Sequence, residues 1–173
     1  MRALLVVDMI NDFVNPSGSL YIPKSDDIIP NINRLIEHFK DDAVLYINDS
    51  HLKDDIEFSK WPIHAVKGTW GSLEDFRVRP SSYTINKTKY SGFSNTELHK
   101  LLRFLDVRSV FISGVATEYC IKETAVSSMR NFYNTFVIVD AVRPVDKVEG
   151  DKALITMGYS GIMGIGTKEL IGG

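Results

Sequence analysis

The chain is short of several things that would point elsewhere. It has one cysteine, Cys120, in 173 residues. No internal disulfide can form, and a reducing compartment is expected. No apolar run reaches the length of a membrane span. The run before Asp8 in MRALLVVDMINDF is too short for the apolar stretch of a secretory leader, so a soluble, cytoplasmic protein is expected. Charge of neither sign dominates: 20 Lys and Arg stand against 22 Asp and Glu, and no basic face recommends nucleic acid. Repeats, low-complexity tracts and linker-like stretches are lacking too. What remains is ordinary globular composition, 44% hydrophobic and 24% charged. That is enough chain for one domain, 1–173, with a real core.

Four apolar runs rich in β-branched residues punctuate the chain: ALLVVD (3–8), AVLYIND (43–49), SVFISGV (109–115) and TFVIVDAV (135–142). Short runs that are apolar throughout suit strands covered on both faces, as in a parallel sheet. YTINK (83–87) reads as a weaker strand and GYSGIMGI (158–165) as a last one. Helical patterns lie between them, over 25–41, 94–106, 118–133 and 147–159. In the second, Ser94 followed by Glu97 reads as a capping box. This alternation predicts an α/β fold, a doubly wound three-layer sandwich on a mostly parallel sheet of about six strands. The stretch 50–82 exceeds the usual connection length. It holds both tryptophans and two of the four histidines, which favours a functional loop.

In a doubly wound sheet, ligands bind beyond the carboxyl ends of the strands. Asp8 ends the first run, Asp49 the second with His51 just after, and Lys87 ends YTINK. SGVATEYC carries the fourth strand into a helix at Cys120. In the first turn of that helix, free amides and the Lys87 ammonium are expected to favour the thiolate. Asp8 is placed to take the thiol proton and later deliver it to a leaving amine. Each residue alone has a plainer reading: Cys120 as a small buried hydrophobe, Asp8 as a cap or turn residue, Lys87 as a solvated strand end. Asp49 and His51 alternate along an extended chain and can point the same way, and His64 follows in WPIHAV. One carboxylate and two imidazoles leave open positions, as catalytic metal sites do. The plainer alternative is a capping aspartate and two exposed loop histidines. His38 and His99 fall on predicted helices and are expected at the surface.

LLVVDMINDF, INKTKYSGFSNTEL and SGVATEYCIKETAVSSM resemble the three signature segments of the isochorismatase-like cysteine hydrolases, in order, spacing and strand position. The likeness covers essentially the whole chain. GVATEYC is most similar to the nicotinamidase branch. The resemblance implies a catalytic triad of Asp8, Lys87 and Cys120. Lys87 is chosen over Lys89 because the family's lysine closes the strand. It also implies a cis peptide at Val115–Ala116 that aims the Ala116 amide, with that of Cys120, at a developing oxyanion. It implies a divalent metal, zinc or else iron or manganese, on Asp49, His51 and His64, which meets the substrate's pyridine nitrogen. Some members add a further histidine, and here Glu57 stands about there, as a substitute ligand or a solvent-facing loop residue. Phe13 and Trp61 match the family's aromatic walls; Tyr90 reads as core or as a neighbour of the lysine. The implied activity is hydrolysis of a small carboxamide to release ammonia, with nicotinamide favoured and a homo-oligomeric enzyme expected. N-carbamoylsarcosine amidase-like or ureido-hydrolysing chemistry is the alternative, and a non-catalytic scaffold or redox sensor a more distant one.

Overall fold

The computed structural model describes residues 1–81 and 83–172. Ser82, the last residue of the 50–82 stretch, and Gly173 lie outside the described residues. Six strands form one sheet: β1 (Arg2–Val7), β2 (Ala43–Asp49), β3 (Tyr83–Lys87), β4 (Ser109–Val115), β5 (Asn134–Arg143) and β6 (Met163–Ile165). Their order is β3-β2-β1-β4-β5-β6, and every pairing is parallel. The expected mostly parallel sheet is wholly parallel.

The apolar runs are explained by burial on both faces. Leu4 and Val6 of β1 pack with Ile32 and Leu35 of α2 (Ile29–His38). Ala3, Leu5 and Val7 point the other way, towards Leu98 and Leu102 of α3 (Leu98–Phe104), Ala125 of α4 (Lys122–Arg130) and Met157 of α5 (Lys147–Tyr159). Each such Leu or Ile contributes about 1.5–3 kcal/mol of transfer free energy. Two short helices, α1 (Asn11–Val14) and α6 (Thr167–Ile171), complete the set. The edges are treated differently: β3 is largely exposed, and β6 is only three residues long. Short or polar edge strands discourage pairing with other chains.

Three boundaries differ from the periodicity. The helix expected over 25–41 begins at Ile29, after a 3₁₀ turn at Ser25–Ile28. Pro30 has no N–H to donate and fits only in a first helical turn. The Ser94–Glu97 capping box does not form. Asn95 sits at φ +55, and α3 starts at Leu98, whose N–H donates to the Thr96 hydroxyl at 3.2 Å. The segment 118–133 opens as a π turn, Thr117–Ile121, before α4 takes over. α5 matches its expected bounds; Asp146 caps it by accepting the Glu149 N–H at 2.9 Å.

The sheet order reverses direction between β1 and β4, so a crevice opens between their carboxyl ends. Gly114 lets the two strands meet there. It has φ +111, and a Cβ at this position would come 2.0 Å from the Val7 carbonyl oxygen. The next link but one, Val115–Ala116, is a cis peptide.

Candidate active site

The crevice gathers residues from four strand ends. Asp8, just past β1, has φ +55, a left-handed conformation more open to Asp than to most residues. Its N–H donates to the Ile47 carbonyl at 2.9 Å. One carboxylate oxygen, Oδ1, accepts the Asp49 N–H at 2.7 Å, and the other, Oδ2, accepts Lys87 Nζ at 2.8 Å. Lys87 Nζ also donates to Asp49 Oδ1 at 2.5 Å and to Cys120 Sγ at 3.5 Å. Ligand atoms of Asp8, Asp49 and Cys120 all lie within 4.8 Å of one another. All four side chains are buried. Lys87 is therefore not the solvated strand end of the plainer reading.

The buried charges sum to two carboxylates against one ammonium. Burial works against the Lys87 charge, but Asp49 and Asp8 outweigh it and hold its pKa well above the ordinary value. Burial, with Asp49 beside it, raises Asp8 to about 6 against the pull of Lys87. Burial above all pushes the Cys120 thiol up; the Lys87 ammonium pulls it down, and the Asp8 and Asp49 carboxylates add to the rise. This corrects the expectation of a resting thiolate: a third anion in a site with one cation is unfavourable. The arrangement instead pairs a protonated nucleophile with a carboxylate of raised basicity.

Asp49, His51 and His64 place one ligand atom each within 4.8 Å of one another. His51 Nδ1 lies 2.9 Å from Asp55 Oδ2, and His64 Nδ1 lies 2.7 Å from the Pro62 carbonyl. Both partners only accept, so each Nδ1 donates and each Nε2 is left as the free nitrogen. His51 Nε2 is buried with no hydrogen-bond partner, 3.7 Å from Asp49 Oδ2. An orphaned buried imidazole nitrogen beside a carboxylate and a second imidazole fits a divalent metal. Neither histidine is an exposed loop residue: both are buried. The structure does not bring Glu57 into this group. Phe58 instead turns its ring to both imidazoles, with centroids 5.6 Å from each.

A cavity of about 90 Å³ opens onto Asp8, Asp49, Ala116 and Cys120, walled by Phe13, Trp61, Tyr90, Tyr119, Leu20, Tyr21, Ile22 and Val145. Pockets for drug-sized ligands run to roughly 300–1,000 Å³, so this one suits a single small ring. Phe13 and Trp61 line it, and so does Tyr90, read from the sequence as core or a neighbour of the lysine; its hydroxyl accepts from Trp61 Nε1 at 3.0 Å. The Ala116 carbonyl accepts the Tyr119 and Ile121 amides, both at 3.1 Å, and the Cys120 amide lies between those two in sequence. Sequence reasoning missed Tyr119, Asp55 and Asp12. Tyr119 lies inside the quoted GVATEYC and could have been found as a pocket wall from its place beside Cys120. Asp12 Oδ2 accepts the Ala65 N–H at 2.8 Å, anchoring the residue after His64; nothing local in NDFV announces it.

Parallel sheet, reversal crevice and buried acid–lysine–thiol cluster together give an α/β protein with a candidate active site at the switch point. An isochorismatase domain profile matches residues 2–169. The nicotinamidase of Saccharomyces cerevisiae is 30% identical over 192 aligned positions, covering 84% of this chain and 89% of that protein. The pyrazinamidase of Pyrococcus horikoshii, solved in complex with zinc, superposes with a TM-score of 0.90 and 34% identity over 95% of this chain and 98% of that one. The N-carbamoylsarcosine amidase of Thermoplasma acidophilum gives 0.86 and 32%, over 97% of each chain. The chain belongs to the isochorismatase family.

Proposed function

We propose that this protein hydrolyses a small, neutral aromatic carboxamide, nicotinamide foremost, to the carboxylate and ammonia. One observation carries the reading: the Asp8–Lys87–Cys120 cluster opens into an aromatic cavity flanked by the Asp49, His51 and His64 ligand set. Cys120 Sγ attacks the amide carbon as its proton passes to Asp8. The Ala116 and Cys120 amides hold the oxyanion. Asp8 returns the proton to the departing nitrogen, which leaves as ammonia, and the acyl group stays on sulfur as a thioester. Water then attacks the thioester while Asp8 takes its proton, and the proton returns to Cys120. Lys87 holds Asp8 in place and balances its charge. Asp49, His51 and His64 would hold a divalent metal, zinc by likeness to the Pyrococcus pyrazinamidase, which would supply Lewis-acid chemistry beside the cavity.

The N-carbamoylsarcosine reading shares this chemistry and has a structural neighbour in its favour. Its substrate carries a carboxylate, and none of the residues lining the cavity is basic. A neutral ring between Phe13 and Trp61 suits that lining better. A redox sensor would need a reactive thiolate, whereas burial keeps Cys120 protonated.

Ammonia release from nicotinamide and from N-carbamoylsarcosine tests the proposal. Turnover of nicotinamide that is lost on chelation, restored by zinc and absent in Cys120→Ala is expected. Turnover of the carbamoyl compound alone, indifferent to chelator, would overturn the substrate.

A further inference from the structure

We propose that Asp55 is the positioning residue of the metal site, and that through it the metal ligands are tied to the aromatic wall of the pocket. The inference rests on the metal reading given above. Asp55 divides its two carboxylate oxygens between two tasks. Oδ2 accepts the Nδ1–H of His51 at 2.9 Å. Oδ1 accepts the N–H of Glu57 at 2.9 Å and so caps the 3₁₀ turn Ile56–Ser59. That turn continues directly to the wall: the Trp61 N–H donates to the Glu57 carbonyl at 3.2 Å, and Trp61 Nε1 reaches the Tyr90 hydroxyl at 3.0 Å. One carboxylate thus connects the imidazole that would hold the metal to the indole that faces the substrate.

The two imidazoles are not supported alike. His64 Nδ1 meets a neutral carbonyl, that of Pro62, whereas His51 Nδ1 meets a carboxylate. A carboxylate behind a ligating imidazole fixes its tautomer and ring orientation and raises its basicity, and losing such a partner typically costs about 10–100-fold in metal affinity. Asp55 itself is only partly shielded, with 14% of its side chain exposed. Its bond to His51 is held by the capped turn on one side and the buried imidazole on the other.

The test uses the full-length chain stripped of metal and titrated with Zn²⁺ against a competing chelator, with no substrate present. Asp55→Ala is expected to weaken Zn²⁺ about 10–100-fold. Asp55→Asn, which keeps the shape and one acceptor oxygen but loses the charge and turns a donor NH2 towards the other N–H, is expected to fall between it and the unaltered chain; His51→Ala should be weakest. In a Trp70→Phe background Trp61 is the one remaining tryptophan. Zn²⁺ should then change its emission, and Asp55→Ala should abolish that change even at saturating metal. If both Asp55 variants bind Zn²⁺ like the unaltered chain while only their melting temperatures drop, Asp55 merely caps the turn and the proposal is overturned. If the unaltered chain binds no better than His51→Ala, the metal reading falls and takes this with it. Affinity that follows Asp55 in a chain that hydrolyses no amide would uphold this proposal and overturn only the substrate.

Discussion

Lys87 supplies the ammonium that the two buried carboxylates of the site share. Its ammonium is out of reach of water and lies between Asp8 and Asp49. Removing one partner of a buried ion pair leaves its counter-charge stranded, at a cost of roughly 3–5 kcal/mol. Lys87→Ala, which leaves two stranded carboxylates, is expected to lose at least that much in chemical denaturation of the metal-free chain. An unchanged midpoint would mean the cluster is not charged as described. Cys120 allows a second check at this scale. Because burial and two carboxylates keep the thiol protonated, alkylation at neutral pH should be slower in the folded chain than in the urea-unfolded one. Faster labelling when folded would restore the resting thiolate expected from the sequence. That expectation erred for a physical reason: helix position and a nearby lysine were legible, but the number of buried carboxylates around the sulfur was not. Asp49 was read as a metal ligand only. Its second bond, to Lys87, depends on β2 and β3 lying side by side with Asp49 opposite Lys87.

Among the elements, the strands were legible and the helix starts were not. Each central strand is buried on both faces, so its apolar run is continuous and hard to mistake. Helix starts depend on single hydrogen bonds: the Thr96 hydroxyl captured the role assigned to Ser94, and Pro30 set the start of α2. The β1–β4 junction depends on Gly114. Gly114→Ala places a methyl group against the Val7 carbonyl at a left-handed φ, and a loss of more than about 1 kcal/mol is expected, read as a lower denaturation midpoint. The loop between β2 and β3 has its own anchor. Asp75 is fully buried and accepts the Arg77 Nε at 2.8 Å and Nη2 at 2.9 Å. Burial alone would raise its pKa, but the Arg77 bonds and charge outweigh it and hold the carboxyl below its ordinary 3.8. A depressed carboxyl stabilises the fold above its unfolded pKa and loses that contribution as pH falls through the folded one. Acid titration should therefore show stability falling below pH 3.8 in the unaltered chain, with this part of the fall missing in Arg77→Ala. Identical acid profiles would rule the pair out as an anchor.

For the molecule as a whole, the sheet order decides the function. Reversal between β1 and β4 brings Asp8 and Cys120 together across the crevice, although they are far apart in the chain, and β2 and β3 deliver Asp49 and Lys87 to the same edge. The positions of these residues at strand ends could be read from the sequence alone, and so could the Asp49, His51 and His64 set. The support behind them could not. Asp55, Asp12 and the Phe58 ring act through contacts between separate loops, and no local pattern marks which of Asp54 or Asp55 turns inward. Among the described residues, no helix is long and apolar enough to cross a membrane, and the small aromatic cavity points to a small-molecule substrate. The central claim is that Cys120 carries the acyl group through a thioester. Intact-protein mass spectrometry of acid-quenched turnover with nicotinamide tests it most directly. The account predicts a transient mass gain of one nicotinoyl group, mapped to the peptide containing Cys120 and absent in Cys120→Ala. Steady ammonia release from a chain that never gains that mass, or that turns over without Cys120, would contradict it.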